Sequence, residues 1–188
     1  MRSQHRRRYP MLAMLAMLVV CARPAYAADL KLLNIAIRAK VSDQRVLGKV
    51  QPVSFEEYDV MGTFRLPEAY QIASRLGLET RLLTSIGIFR GAGKTAVVAS
   101  VIPVLAIASR DGRFYADAGA GLAAISRYRY AQQDFGGPLQ FALTAGFGVP
   151  LYGHFGIGYR FLHYSDAALY SSSTIGADFH MLELLYRF

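Results

Sequence analysis

Between Leu139 and Val149 the chain alternates without a break. Leu139, Phe141, Leu143, Ala145, Phe147 and Val149 fall on one side, and Gln140, Ala142, Thr144, Gly146 and Gly148 on the other. Successive side chains of an extended strand point to opposite faces, so this period of two specifies a strand with one large apolar face and one small or polar face. A soluble barrel turns the large face inward. A membrane barrel turns it outward against lipid and fills its interior with polar and small groups. The alternation alone leaves both open. The final segment points to the second. Leu182, Leu184, Tyr186 and Phe188 share one side, while Glu183 and Arg187 share the other. Charges opposite an apolar stripe fit a polar lumen.

The first residues are a different kind of sequence. Arg2 and Arg6 to Arg8 precede an apolar run from Met11 to Ala22, and Ala25-Tyr26-Ala27 follows. This is the pattern of a secretory signal peptide. The run is well short of the roughly 20 residues that a membrane-spanning helix needs. Residues 1–27 are therefore expected to be a signal peptide, and residues 28–188 one barrel domain. Cleavage after Ala27 would remove Cys21, the only cysteine, and with it any disulfide, thiol nucleophile or cysteine metal site. It would also remove five arginines, so the formal charge of +8 falls to about +3 and gives no reason to expect a nucleic-acid partner. Beyond residue 30 no stretch is long and apolar enough for a transmembrane helix, so a membrane location requires a barrel.

Eight segments read as strands: 30–40, 56–66, 70–89, 95–109, 114–126, 139–152, 155–165 and 178–188. Turn chemistry separates the later ones, at Gly91-Ala92-Gly93, Asp111-Gly112, Gly136-Gly137-Pro138, Gly153 and Ser171 to Gly176. The expected fold is all-β, an eight-stranded antiparallel transmembrane β-barrel. Pro103 lies inside a strand and calls for a local bulge, because a closed barrel has no edge to hold it.

Strand parity isolates one candidate site. Phe155, Ile157, Tyr159, Phe161, His163 and Ser165 share the outward face of the seventh segment. Polar side chains at i and i+2 project side by side, where an imidazole can activate a hydroxyl. Asp178 has the outward parity of Leu182 and Phe188. With both termini periplasmic, as is usual for an even-stranded barrel, all three residues lie at the outer rim. That arrangement makes Ser165 a nucleophile, His163 a general base and then acid, and Asp178 the group that orients the imidazole. Polar residues at a barrel rim are also commonly interfacial, and His180 and His154 are read that way. Arg160, Glu183 and Arg187 are inward by parity and expected to pair in the lumen. Arg127 and Arg129 lie at the outer rim after the fifth segment, where they could contact substrate phosphates or be simply solvated.

The stretch Leu162-His163-Tyr164-Ser165-Asp166-Ala167-Ala168-Leu169 resembles the H-Y-S-N-A-G-L segment of the lipid A 3-O-deacylase (PagL-type acyloxyacyl hydrolase) family. More loosely, Val101-Ile102-Pro103-Val104 resembles its A-P-V segment, and Tyr115 to Leu122 its E-A-G-I-G stretch. The resemblance implies hydrolysis of the ester-linked acyl chain at position 3 of lipid A, in the outer leaflet, with catalytic His163 and Ser165 and no metal or organic cofactor. It makes Asp178 the counterpart of a family Glu. It places Asp166 where the family has an Asn associated with the oxyanion hole, and Ala168 where it has a Gly. An ionised Asp166 side chain cannot donate to an oxyanion, though its main-chain N–H can. The terminal Phe188, with Tyr186 two places earlier, resembles the C-terminal signal read by the barrel assembly machinery. Lipopolysaccharide and outer-membrane lipids are the expected partners, and monomer and homodimer stay open. Two other readings remain: a structural or adhesive barrel without activity, and a lipid A acyltransferase barrel, which needs an internal hydrocarbon pocket.

Overall fold

The computed structural model describes residues 30–73, 75–170 and 174–188; the expected signal peptide lies outside them. Ten strands follow in order: β1 (Lys31–Ser42), β2 (Phe55–Ala73), β3 (Leu76–Gly91), β4 (Lys94–Ser109), β5 (Tyr115–Ile125), β6 (Arg129–Tyr130), β7 (Gln133–Asp134), β8 (Leu139–Tyr152), β9 (Phe155–Ser165) and β10 (Ala177–Arg187). Eight of them close an antiparallel barrel in the order β1-β10-β9-β8-β5-β4-β3-β2, and β6 and β7 form a small hairpin in the segment between β5 and β8. Pairing of β1 with both β2 and β10 closes the sheet. One end carries the short turns after β2, β4 and β8. The other carries the two-residue turn after β3 and the longer segments 43–54, 126–138 and 166–176.

The side chains divide as the alternation requires. Ile35, Ile37, Val60, Ile86, Val97, Leu143, Phe147, Leu184 and Tyr186 are exposed on the outer wall. Gln140, Ala142 and Thr144, their neighbours in sequence on β8, are buried inside. This inside-out distribution is that of a barrel whose wall meets lipid.

The lumen has three layers. At its centre Arg38 pairs with Asp59 at 2.6 Å and Arg160 with Asp117 and Glu183, each at 2.6 Å; Arg38 also lies 3.9 Å from Glu183. Every member is almost fully buried. Below it the lumen widens into a cavity of about 720 Å³ lined in part by Arg65, Glu79, Arg81, Tyr115 and Arg187. Arg187 does not join the ionic layer as parity suggested. It donates instead to the Gly112 and Gly153 carbonyls of two turns. The upper layer departs from the expected polar and small interior. Phe55 stacks on Phe89 at 4.5 Å between centroids, and Tyr130, Phe135 and Phe179 pack around them. The β6–β7 hairpin makes this possible by folding Tyr130 and Phe135 over the barrel mouth, so apolar rings are sealed from water at that end.

Two local expectations are also corrected. Pro103 produces no bulge. Val101 pairs with Leu122 and Val104 with Gly119 in unchanged register, and only the ladder positions between them are skipped. Gly119 and Gly121 allow the strands to stay close there: a Cβ at Gly119 would lie 2.1 Å from the Pro103 carbonyl oxygen. Pro67, by contrast, does not end β2. The register shift between Arg65 and Ala69 absorbs it, so β2 runs to Ala73 and the third segment begins at Leu76, not at residue 70.

Arg160→Met leaves Asp117 and Glu183 buried without the guanidinium they share. It should cost about 3–5 kcal/mol, read as a lowered urea midpoint for the barrel in lipid vesicles. An unchanged midpoint would show that the ionic layer is not needed for stability.

Candidate active site

Asp178 and His163 are direct partners across the β10–β9 ladder, and Ser165 follows two residues later on the same face. All three stand on the outer wall at the end that bears the long segments. Tyr164, between them in sequence, points inward. Its hydroxyl donates to Glu57 at 3.0 Å and its ring packs on Phe179, which fixes the rotation of this end of β9.

His163 Nδ1 lies 2.5 Å from Asp178 Oδ1. The other carboxylate oxygen accepts from the main-chain N–H groups of Val46, at 2.5 Å, and Leu47, at 2.7 Å. The Asp178 N–H in turn donates to Gln51 Oε1 at 3.2 Å. An ionised carboxylate only accepts, so Nδ1 carries the proton in this contact and Nε2 is left as the basic nitrogen. His163 and Ser165 share a cleft of about 230 Å³ with Gly48, Lys49, Asp166, Ala167, Ala168, Thr174 and Gly176. A Cβ added to Gly176 would lie 3.2 Å from both His163 Cε1 and Ser165 Cβ, so imidazole and serine flank the same small space. The hydrogen bonds of the described residues include the Asp178–His163 contact but none between His163 and Ser165.

An antiparallel pair of strands thus presents an acid, an imidazole and a hydroxyl outward at one rim. The sequence profile of the lipid A 3-O-deacylase (PagL) family matches residues 57–187, which span this whole arrangement. The chain belongs to the lipid A 3-O-deacylase family. Its fold is similar to the crystal structure of the outer membrane enzyme PagL, with a TM-score of 0.68 and 20% identity over 82% of this chain and 99% of that one. The Yersinia pestis outer membrane protein Ail is also similar, at 13% identity, with a TM-score of 0.44 over 83% of this chain and 99% of that one. No curated protein matches the sequence.

In this member of the deacylase family Asp166 is a scaffold for its own turn. Its Oδ1 accepts from Ala168 N at 3.0 Å and Thr174 Oγ1 at 2.7 Å, and its Oδ2 accepts from Tyr170 N at 3.1 Å. An ionised carboxylate only accepts, so Asp166 can offer the cleft a donor only through its main-chain N–H. Ala167 and Ala168 both take positive φ, 49° and 64°, so two alanines hold a left-handed backbone that favours glycine. Arg127 and Arg129 are exposed on the segment between β5 and β8 and do not line the cleft. Arg129 pairs with Asp134 at 3.1 Å.

Residues that the sequence did not single out hold the site together. The 43–54 segment supplies the donors to Asp178. Its near end is braced by Asp43, whose carboxylate is held below its ordinary range first by the Ser54 hydroxyl, against the opposing effect of burial, and also by Lys40. That brace is complete at neutral pH and weakens as pH falls through the depressed carboxylate range. His180, expected to be merely interfacial, contacts the Tyr159 hydroxyl through Nδ1 and the Gln44 carbonyl through Nε2 at 2.8 Å. Gln133, on the β6–β7 hairpin, donates to the carbonyls of Ile175 and Gly176 at 2.8 and 2.9 Å. His154 lies exposed at the β8–β9 turn, with Nδ1 2.8 Å from the Arg187 carbonyl oxygen, far from the cleft in the fold. Among the described residues no group of three or more His, Cys, Asp or Glu is placed to hold a metal ion.

Gly176→Ala should separate catalysis from folding. The new Cβ would lie 2.5 Å from the Tyr164 carbonyl oxygen and press on both His163 and Ser165. A displacement of about 1 Å costs up to about 100-fold in rate, so kcat should fall at least tenfold while the barrel still shifts its mobility on unheated gels. Wild-type kcat in the folded variant would show that this geometry does not limit catalysis.

Proposed function

We propose that the protein is a serine hydrolase that removes the 3-hydroxyacyl chain ester-linked at position 3 of lipid A, and that it works in the outer leaflet of the Gram-negative outer membrane. The observation that carries this reading is the direct contact of Asp178 with His163 on the outward face that also bears Ser165. The lipid-facing position suits a substrate that is itself a membrane lipid. With the short turns on the periplasmic side, as in other barrels of this class, the cleft lies at the level of the outer leaflet.

In this mechanism His163 Nε2 takes the Ser165 proton as Oγ attacks the ester carbonyl. Asp178 holds the imidazole in orientation and stabilises the imidazolium. The tetrahedral intermediate collapses with cleavage of the bond to the sugar oxygen, which receives the proton from His163. Water, deprotonated by the same nitrogen, then attacks the acyl-serine, and free 3-hydroxy acid leaves with the serine restored. Main-chain N–H groups of the turn that begins at Asp166 are the proposed oxyanion donors. Arg127 and Arg129 are reserved for outlying contacts with lipopolysaccharide phosphates, since they lie outside the cleft. Phe188, exposed after β10, is read as the contact for the barrel assembly machinery.

The acyltransferase reading loses support. It requires a hydrocarbon pocket inside the barrel. Here the upper lumen is filled by Phe55, Phe89, Tyr130, Phe135 and Phe179, and the lower cavity is lined by Arg65, Glu79, Arg81 and Arg187 among others.

Purified, folded barrel incubated with lipid A should release free 3-hydroxy acid, seen by mass spectrometry as loss of one acyl chain. Ser165→Ala and His163→Asn should abolish the release, and Asp178→Ala should lower kcat by about 10³–10⁴-fold. Intact lipid A with folded wild type, or full activity in Ser165→Ala, would refute the assignment.

A further inference from the structure

The 43–54 segment has two sides with different chemistry. Its main chain turns toward the site, where Val46 and Leu47 donate to Asp178, and Gln51 accepts from the Asp178 N–H. It is tied down at three points: His180 binds the Gln44 carbonyl, Lys49 Nζ donates to the Thr174 carbonyl at 3.3 Å, and Val53 is buried in the barrel mouth. Three of its aliphatic side chains go the other way. Val46 is 58% exposed, Leu47 40% and Val50 69%. Three exposed aliphatic side chains in five residues of a surface connection are an unfavourable surface toward water. They continue the apolar wall of β1, where Ile35, Ile37 and Val41 are exposed. Arg45 and Lys49 interleave with them. Aliphatic groups with cations between them match the boundary between acyl chains and phosphates of an anionic lipid leaflet.

We infer that the 43–54 segment is a lipid-seated strap: Val46, Leu47 and Val50 rest in the acyl chains around the substrate, and this seating holds the main chain that positions Asp178. The strap is a positioning element, since it touches the acid and not the reacting atoms. Its coupling to catalysis rests on the hydrolase reading above, whereas its contact with lipid does not.

The chain has no tryptophan, so Val50→Trp, with Leu47→Trp as a second probe if the first fails to fold, reports the strap alone. In phosphatidylcholine vesicles, lipids brominated on their acyl chains should quench its emission by at least half, and acrylamide from the water only weakly. Strong acrylamide quenching without bromolipid quenching would overturn the seating. The double variant Val46→Ser/Val50→Ser, reconstituted in vesicles, should lose about tenfold in kcat on lipid A and on a short, water-soluble ester alike, because the strap acts through Asp178 and not through the substrate. A loss on lipid A alone, or none on either, would overturn the coupling. Wild type inert toward both esters, with the bromolipid result intact, would locate the failure in the hydrolase assignment and not in the strap.

Discussion

A backbone that faces hydrocarbon has no water to satisfy its N–H and C=O groups, so the sheet must close on itself. Closure is the constraint from which the rest of this structure follows. Once β1 pairs with β10, every residue has a fixed side. The same parity that sends Leu182, Leu184 and Tyr186 to the lipid sends Arg160 and Glu183 into the lumen, where only mutual pairing makes them tolerable. It also sends His163, Ser165 and Asp178 outward. The site is therefore a consequence of register. A slip of one residue in β10 would turn Asp178 into the barrel and leave His163 without its acid.

Parity alone does not make a catalytic group. An acid at a lipid-facing rim can swing, be solvated or pair elsewhere. The connecting segments remove that freedom. Two main-chain N–H groups from the 43–54 segment occupy one oxygen of Asp178 and leave the other for His163. On the opposite side of the cleft Asp166 folds its own turn, and Gln133 pins the strand entrance at Gly176. The barrel sets which residues meet, and the loops set how firmly they are held. Asp178 has the shorter of the two acidic side chains, and the main chain of the 43–54 segment comes close enough to meet it.

The architecture was legible because period-two patterning is local. The face assignments of β8, β9 and β10 follow from counting residues, and they match the structure. The fixed distance between His163 and Ser165 made the outward pair visible as well. Other features depend on contacts between distant parts of the chain. Nothing in Val46-Leu47 or Gln51 marks them as partners of a residue about 130 positions away, because main-chain donors leave no trace in composition. Asp166 was weighed as a group at the oxyanion, whereas its hydrogen bonds to Ala168, Tyr170 and Thr174 make it a builder of its turn. The aromatic layer was in plain sight, since Phe179 has the parity of Glu183, but a rule of polar lumens argued against it. Pro67 and Pro103 show the same limit from the other side. Each removes a donor, and whether a strand ends, bulges or simply skips a bond is decided by its neighbours, as Gly119 and Gly121 decide it for Pro103.

The central claim is that Ser165 is a nucleophile made reactive by His163 and Asp178 on the outer wall. The most direct measurement is covalent trapping of the folded, membrane-reconstituted protein with a long-chain fluorophosphonate, followed by mapping of the adduct by peptide mass spectrometry. A single adduct on Ser165, lost in His163→Asn and greatly slowed in Asp178→Ala, is the predicted result. No adduct at Ser165, or labelling of Ser165 at the same rate when His163 is replaced, would contradict it.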